Sequence, residues 1–500
     1  MVYVDKTGII YDLVKNYSYV FLSRPRRFGK SLLLSTLQAY FEGSKELFEG
    51  LEIMQLEKEW KKHPVFHLEL SRINPESGHS LVSALEEQFT EWENIYNIQN
   101  RNLEFAQRLS VLIKEAYRKS GQGVVVLIDE YDNPLINTLD NPDLHNKFRS
   151  LLKSIYSNLK ALDQYIQFAM VTGVSRFSNT SIFSGFNNLK DITFNPGFST
   201  LCGFTEEEIR RFLWPGVETL GEKLNCSSEE ALRRLKEMYD GYHFSDGCPD
   251  LYNPFSLLNA LDDSKIEDYW ITSATPEFLI KKLKSYKISL SRLFSDTATE
   301  KTLAEKDTAF SSPVALFYQT GYLTIKSYDP ETGRYRLGIP NLEVERGLFG
   351  DILQTYLGNE PQTESDMINN MSLALDNGKP EEFLIILKSF LAAIPGTINH
   401  RNMVELNFEN TVYVLLMSMG KDVKAEHAVA AGRIDLLVSV KDFIYIIEFK
   451  FNSTPKKALE QIEAKDYSLP WSTDTRKLFK VGVNFSSKTR NITGWKIKED

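Results

Sequence analysis

In the first two hundred residues, short β-rich runs alternate with segments of helix length. The runs lie at 17–23, 65–70, 124–128 and 168–172, and the longer segments between them include 80–97 and 102–120. A strand followed by a helix and a further strand forms a βαβ unit, and repeated units build a parallel sheet covered by helices. The alternation therefore predicts an α/β fold with a mainly parallel sheet in the N-terminal part.

The chain is too long for one hydrophobic core, because 500 residues correspond to about three domains of roughly 150 residues each. From about Phe204 the pattern turns helical, and the turn-rich tetrapeptide Asn377–Pro380 suits a connection into a last domain. We predict an N-terminal α/β domain over 1–203, a mostly helical middle region over 204–375 and a small mixed α/β domain over 376–500.

Composition excludes several classes of protein. No apolar run approaches the roughly 18 residues that a membrane helix needs, and the N-terminus lacks the basic-then-apolar order of a signal peptide. The three scattered cysteines, Cys202, Cys226 and Cys248, do not form a disulfide framework or a C-x-x-C metal cluster. The net charge of −9 argues against a protein that coats nucleic acid through global charge. We expect a cytoplasmic protein with no membrane partner.

A phosphate-binding loop is indicated between the first β-rich run and the helical segment 31–41. Gly29-Lys30-Ser31 stands where free backbone N–H groups and the positive end of a helix suit a phosphate. Lys30 would contact the terminal phosphates and Ser31 would help to hold Mg²⁺. Arg24 occupies the position where such loops have glycine, so the first turn must differ. The expected nucleotide contacts in the loop are Arg27, Phe28, Gly29, Lys30, Ser31 and Leu32.

An acidic partner for this loop follows the apolar run 124–128. Asp129 would orient Mg²⁺ and Glu130 would activate the attacking water, with Asp132 as the alternative base. Thr172 and Arg176, at the end of the next run, could sense the terminal phosphate. The competing interpretations are a surface basic loop beside an unrelated buried strand, and a solvated Arg176.

Two carboxylates and a lysine near the C-terminus predict a second site. The runs 433–440 and 443–451 suggest a hairpin that carries Asp435, Glu448 and Lys450 in the order D-x₁₂-E-x-K. Positions two apart on a strand share a face, and a short turn brings Asp435 alongside. The carboxylates would bind Mg²⁺ while the lysine acts on the attacking water and the phosphate charge, which suits phosphodiester hydrolysis. The alternative without a catalytic role is a surface ion pair of Glu448 and Lys450.

Neighbouring helices offer supporting residues for this second site. Gln461, on the helix predicted near 456–465, could contact the site or the substrate backbone. Glu405, on the helix predicted around 405–419, could approach the metal from the other side, with Glu409 one turn later as the competing choice.

The order of these motifs resembles a family of bacterial and archaeal proteins that have an AAA-ATPase-like N-terminal region and a C-terminal PD-(D/E)XK nuclease-superfamily domain. The likeness covers nearly the whole chain, and its motifs are Tyr3–Thr7, Arg24–Ser31, Leu127–Asp132, Thr172–Arg176, Ile182–Leu189, Gly432–Asp435 and Ile447–Lys450. It implies ATP binding and hydrolysis, a lid-like middle region and a restriction-endonuclease-like last domain. The family's arginine-bearing loop accommodates Arg24. Relatives tend to carry a short segment before Tyr3, which suggests a trimmed N-terminus.

The leading hypothesis is an enzyme, an ATPase that is also a nuclease cleaving DNA or RNA with Mg²⁺ or Mn²⁺. Its rival is a nucleotide-regulated switch whose nuclease fold only binds nucleic acid or a protein partner. A Ser/His/Asp hydrolase is disfavoured because no serine stands in a G-x-S-x-G elbow. The sequence leaves open the choice between DNA and RNA, the coupling of the two activities, the pathway and whether a homo-oligomer forms.

Overall fold

The computed structural model describes residues 2–71, 81–99, 103–139, 141–176, 189–271, 279, 283, 289–294, 297–304, 312–357, 361–393 and 404–500, with the backbone alone at 354–357, 361–365 and 404–407. The chain divides into two compact units. The first comprises Met1–Ala274 and Thr297–Asn341, and the second comprises Thr275–Asp296 and Leu342–Asp500. The three-part division with limits at 203 and 375 stays a prediction.

Strands and helices are numbered in chain order. The strands are β1 (Tyr19–Ser23), β2 (Val65–Glu69), β3 (Val124–Asp129), β4 (Ile166–Gly173), β5 (Lys190–Asp191), β6 (Thr297–Ala298), β7 (Thr324–Asp329), β8 (Arg334–Gly338), β9 (Asp422–Val429), β10 (Gly432–Ser439), β11 (Phe443–Phe451), β12 (Lys477–Ser486) and β13 (Asn491–Glu499). The α-helices are α1 (Thr7–Asn16), α2 (Lys30–Phe41), α3 (Ile53–Leu56), α4 (Leu81–Tyr96), α5 (Phe105–Ser120), α6 (Asn133–Ile136), α7 (Pro142–Lys160), α8 (Glu206–Glu208), α9 (Trp214–Lys223), α10 (Ser228–Tyr239), α11 (Pro254–Asp263), α12 (Leu290–Leu293), α13 (Glu300–Leu303), α14 (Pro313–Gln319), α15 (Leu342–Leu357), α16 (Pro361–Asp376), α17 (Pro380–Ala393), α18 (Val404–Ser418) and α19 (Pro455–Ala464).

A parallel sheet forms the centre of the first unit, in the order β2-β3-β4-β1-β5. Every residue of β1 and of β3 is buried, as expected of apolar strands covered by helices on both faces. The order places β4 between β1 and β3, so three strand ends meet at one edge of the sheet. The predicted α/β class with a mainly parallel sheet is confirmed.

The middle of the chain is mainly helical, as predicted. Thr205 begins α8 with a capping box, in which its hydroxyl accepts from the Glu208 N–H and the Glu208 carboxylate accepts from the Thr205 N–H. A small antiparallel sheet in the order β6-β8-β7 also lies in this region and was not predicted. Among the described residues, none of the helices is both long enough and apolar enough to cross a bilayer.

The second unit contains a mixed sheet in the order β13-β12-β11-β10-β9. β11 and β12 run parallel, and the other neighbours run antiparallel. Helix α18 packs on one face, where the ring of Phe408 meets Phe449 with centroids 5.2 Å apart. Helix α19 packs on the opposite face, where Ile462 joins a core cluster with Ile446. The small mixed α/β architecture predicted for the C-terminal part is confirmed.

Candidate functional sites

The phosphate loop connects β1 to α2 and begins its helix with a left-handed glycine. Gly29 has φ of 90° and accepts the first helical hydrogen bond from the Leu33 N–H. A side chain would strain this backbone, so the loop requires glycine there. Lys30 is only 4 % exposed, and its ammonium group donates to the carbonyl oxygens of Arg24 at 3.1 Å and Pro25 at 2.9 Å. The loop backbone therefore holds the Lys30 ammonium group against the loop itself.

Arg24 stands at the start of the phosphate loop, where such loops usually have glycine, and its side chain is held by the protein. Its guanidinium group is buried, donates to the carbonyl oxygens of Ser23 at 2.9 Å and Thr193 at 3.0 Å, and lies 4.1 Å from the ring centroid of Phe244. Burial lowers the pKa of this arginine. Arg24 thus ties the start of the loop to the chain after β5, and it does not line the cavity beside the loop.

A cavity of about 690 Å³ lies beside the phosphate loop. This volume is in the range of small-molecule and cofactor sites. All six predicted loop contacts, from Arg27 to Leu32, line it, together with Glu130 from the end of β3. Its other walls include Tyr3 and Lys6, from the motif Tyr3–Thr7, and Phe204, Phe255 and Leu258, which sequence reasoning did not single out. A lining that combines cationic loop groups with apolar and aromatic side chains suits a nucleotide with its phosphates at the loop.

Three carboxylates after β3 have different surroundings. Asp129 is buried and accepts a hydrogen bond of 2.6 Å from the Thr172 hydroxyl on β4. Glu130 has a left-handed backbone with φ of 51° and lines the cavity. Burial raises the pKa of Glu130, and the positive charges of Lys30 and Arg26 oppose that rise. Ser31 and Asp129 offer the hard oxygen atoms that Mg²⁺ prefers.

Asp132, the alternative base, is engaged elsewhere. Its buried carboxylate accepts from the Val174 N–H at 3.1 Å and from both the N–H and the hydroxyl of Ser175 at 2.5 Å. Asp132 therefore anchors the chain that leaves β4 and does not line the cavity, whereas Glu130 does.

Arg176 also lies apart from the cavity walls. Its Nε donates to Asp191 at 3.0 Å and its guanidinium group lies 4.8 Å from the ring centroid of Phe194. The structure does not bring Arg176 to the cavity, so its predicted contact with nucleotide stays a prediction. Residues 182–188 of the motif Ile182–Leu189 lie outside the described part of the chain.

In the second unit, the predicted hairpin is formed by β10 and β11. Leu436 pairs with Ile447, so the neighbouring Asp435 and Glu448 stand opposite each other and share a face of the sheet. Asp435 accepts from the Phe449 N–H at 2.8 Å, and the Lys450 ammonium lies 3.2 Å from Glu448 Oε1. Asp435, Glu448 and Lys450 are thus brought together as the sequence predicted.

Burial strongly affects the ionisation of Glu448. It is 1 % exposed, and burial raises its pKa to about 7, with the negative charge of Asp435 adding to the rise and Lys450 opposing it. Its Oε2 is buried without a hydrogen-bond partner among the described residues. A buried, unpaired carboxylate oxygen beside a second carboxylate fits a divalent cation with oxygen ligands.

Helix α19 brings Gln461 onto Glu448. The Gln461 amide donates to Glu448 Oε1. The approach is possible because Gly482, which pairs with Glu448 on β12, has no side chain where a Cβ would lie 2.5 Å from the Pro455 carbonyl oxygen. Glu405 lies in α18, but its side chain is outside the described part. Within that part, no group of three His, Cys, Asp or Glu side chains is arranged to hold a metal.

Comparisons with known proteins match the two ends of the chain to two families. Residues 1–183 match the family described as Predicted AAA-ATPase, and residues 403–495 match the PD-(D/E)XK nuclease superfamily. The "Uncharacterized protein in vnfD 5'region" of Azotobacter chroococcum mcd 1 is 33 % identical over 503 residues, which cover 99 % of this chain and 95 % of that protein. The chain belongs to the AAA-ATPase-like proteins with a C-terminal PD-(D/E)XK nuclease domain.

The further wall residues of this AAA-ATPase-like protein come from segments that are distant in the sequence. Lys6 forms an ion pair of 2.5 Å with Glu208, which joins the segment before α1 to α8 at the cavity. Phe255 stacks on the guanidinium group of Arg27 at 4.7 Å. The motif Tyr3–Thr7 was the only signal for this wall, and nothing in the sequence linked it to Phe204 or Phe255.

Proposed function

We propose that this AAA-ATPase-like protein binds and hydrolyses ATP with Mg²⁺ at the first site. The proposal is supported by the cavity that Lys30, Ser31 and Glu130 share at the helix start of a phosphate loop. Lys30 and the loop N–H groups bind the phosphates, and Ser31 and Asp129 would hold a Mg²⁺ ion, which would supply charge to neutralise the phosphates. Glu130 accepts the proton of the attacking water, and the aromatic walls enclose the nucleoside.

The second part of the proposal is that the PD-(D/E)XK domain cleaves phosphodiester bonds of nucleic acid. The observation that supports it best is the buried Glu448 with an unpaired oxygen, opposite Asp435 and within 3.2 Å of the Lys450 ammonium. Asp435 and Glu448 would hold a divalent cation, which lowers the pKa of a bound water and offsets phosphate charge. Lys450 orients the attacking water and stabilises charge on the phosphate. Gln461 orients Glu448.

The test is cleavage of labelled DNA and RNA with Mg²⁺ or Mn²⁺, compared between the parent protein, Asp435→Ala and Lys450→Ala. Asp435→Ala should abolish cleavage and weaken metal binding measured by calorimetry. Lys450→Ala should lower the rate but retain metal binding, because the lysine acts on water and phosphate. Lys456→Ala, which removes an exposed lysine of α19 paired with Glu460, is the matched control. If the parent protein binds nucleic acid without cleaving it, the result would favour the rival hypothesis of a nucleotide-regulated switch.

The nucleotide site has a separate test. Lys30→Ala should weaken the binding of ATP with Mg²⁺, since it removes the buried loop cation. Titration calorimetry measures the affinity, and unchanged affinity would overturn the nucleotide assignment without bearing on the nuclease site.

A further inference from the structure

The phosphate loop contains three arginines, and the structure gives them different surroundings. Arg24 is buried against backbone carbonyl groups and Phe244. Arg27 has a left-handed backbone with φ of 62°, and its guanidinium group lies over the ring of Phe255. Both guanidinium groups are therefore engaged by the protein.

Arg26 differs from its two neighbours. It lines the cavity together with Lys30 and Glu130, and its positive charge acts on the Glu130 carboxylate. Its backbone is held, because the indole N–H of Trp270 donates to the Arg26 carbonyl oxygen at 3.0 Å. Its guanidinium group makes no hydrogen bond or ion pair to any residue that the structure describes. Arg26 thus combines a hydrogen-bonded backbone with a guanidinium group that has no such partner, and it lines the same cavity as the candidate base Glu130.

We propose that Arg26 is a catalytic residue of ATP hydrolysis and that it acts within its own chain. The proposal rests on the proposed ATPase function. Water oxygen forms a bond to the γ-phosphorus, the bond from that phosphorus to the β,γ-bridging oxygen breaks, and Glu130 accepts a proton from the water. The electron pair of the broken bond stays on ADP. The Arg26 guanidinium stabilises the negative charge that develops on the γ-phosphoryl and bridging oxygens during this transfer.

The chemistry of the arginine side chain favours a role in phosphoryl transfer over a role in which Arg26 only attracts the nucleotide by its charge. Lys30 already supplies a point charge at the loop, and a planar guanidinium can contact two oxygen atoms whose charges change together. Arg176, the arginine that sequence reasoning selected, is paired with Asp191. Arg26 is therefore better placed to respond to charge that appears only during transfer.

The first experiment measures kcat and KM for ATP in the full-length parent, Arg26→Ala and Arg26→Lys. Arg26→Ala should lower kcat by about 10³-fold, the lower end of the effect of arginines that stabilise phosphoryl transfer, with a much smaller change in KM. Arg26→Lys keeps the positive charge but loses the planar set of guanidinium N–H donors. Its kcat should therefore lie between that of the parent and that of Arg26→Ala. Arg118→Ala removes an exposed arginine of α5 that pairs with Glu115, and should match the parent. An Arg26→Ala enzyme with the parent kcat, or with only KM raised, would overturn the proposal.

A second readout does not depend on turnover. ADP with aluminium fluoride mimics the transferring phosphoryl group, so Arg26→Ala should weaken binding of that mixture while binding of ADP alone stays close to the parent value. Equal loss for both ligands would show that Arg26 only attracts nucleotide. If the parent itself does not hydrolyse ATP, the ATPase proposal fails, and this binding comparison still decides whether Arg26 recognises the transferring group.

Mixing two inactive chains tests the claim that Arg26 acts in its own chain. Arg26→Ala and Glu130→Gln each lack one group, and a site that took its arginine from a neighbour could combine the intact Arg26 of one chain with the intact Glu130 of the other. The mixture should stay as inactive as its components. Recovery of turnover would overturn the assignment in one chain.

Discussion

Three carboxylates within four positions, Asp129, Glu130 and Asp132, show how surroundings assign roles to chemically equivalent side chains. Asp129 accepts from Thr172 and is directed toward β4, whereas Asp132 is enclosed by the backbone of Val174 and Ser175. Glu130 has no such enclosure and lines the cavity. Position in the sequence would permit either Glu130 or Asp132 to act as a base, and only their hydrogen-bond partners separate them.

The first prediction uses this contrast. Glu130→Gln should lower ATP turnover by at least about 10²-fold with little change in stability, because the amide cannot accept the proton. Asp132→Asn should instead destabilise the fold by about 1–3 kcal/mol, because the amide offers one acceptor oxygen where the carboxylate offers two to the buried donors of Val174 and Ser175. Turnover assays and thermal melting distinguish the two variants. Parent-like turnover in Glu130→Gln would remove that residue from the mechanism.

Asp240, which follows α10, supports a prediction on pH. It is 5 % exposed, and burial raises its pKa to about 6, with the Gly241 N–H opposing the rise and the charge of Asp250 adding to it. The folded pKa is above the unfolded value of about 3.9, so between these two values the folded state binds more protons. The contribution of Asp240 to stability therefore falls as pH rises from about 4 to above 6.

Asp240→Asn should remove this cost of burying a charge. We expect the variant to be more stable than the parent at pH 8, by up to about 3 kcal/mol for a shift of about two pKa units. The difference should shrink toward zero below pH 4, where both side chains are neutral. Denaturant unfolding of parent and variant across pH 4 to 8 measures it. A difference that does not change with pH would contradict the assignment.

At the scale of elements, the contact between α19 and the sheet decides whether the nuclease cluster assembles. Gly482 lets the helix backbone approach β12, and this approach places Gln461 on Glu448. Gly494 on the neighbouring β13 faces the same end of α19 but is less crowded, because a Cβ there would meet only Pro455 Cγ at 3.4 Å. The two glycines therefore form a natural pair for comparison.

Gly482→Ala should push α19 away from the sheet, because the added methyl would lie 2.5 Å from the Pro455 carbonyl oxygen and 2.7 Å from the Leu459 nitrogen. We expect a loss of about 1–3 kcal/mol in stability and slower cleavage of nucleic acid. Gly494→Ala should resemble the parent in both respects. Thermal melting and cleavage assays test the pair, and equal behaviour of the two variants would mean that close packing at Gly482 is not required.

Strands were predicted well from the sequence where an apolar run is also buried in the folded protein. The apolar runs of β1, β3, β4, β10 and β11 are buried strands, and their spacing led directly to the facing Asp435 and Glu448. The edge strands β9 and β13 were missed, because they are rich in charged residues and derive their conformation from pairing with a neighbour. The motif Tyr3–Thr7 was noted, but its place beside Phe204 and Phe255 in one cavity wall was missed, because only tertiary folding brings these segments together.

On the scale of the whole molecule, each unit is built from two stretches of chain. The segment 297–341 belongs to the first unit, where the Gln319 side chain accepts from the Arg176 N–H. The segment 275–296 belongs to the second, where the Leu290 N–H donates to Asn410 and Arg292 pairs with Glu426. The limits of the folding units are therefore not single positions in the sequence.

This arrangement predicts the outcome of truncation. A protein ending at residue 203 lacks Phe204, Phe255 and Leu258, and it should lose nucleotide binding. A protein ending at residue 341 contains both stretches of the first unit and should bind ATP with close to the parent affinity. Calorimetric titration of each truncated protein provides the measurement. Parent-like affinity in the shorter protein would show that the walls beyond residue 203 are dispensable.

The interleaved chain also affects how such proteins can be inherited and recombined. Because the chain passes between the units after Ala274, Asp296 and Asn341, a single crossover between two genes near position 342 would join the 275–296 segment of one parent to the 342–500 segment of the other. The hybrid second unit would have to pair Arg292 of one lineage with the Glu426 position of another. Replacement of the nuclease unit by a single crossover is therefore disfavoured, and we expect the two units of one protein to be inherited together.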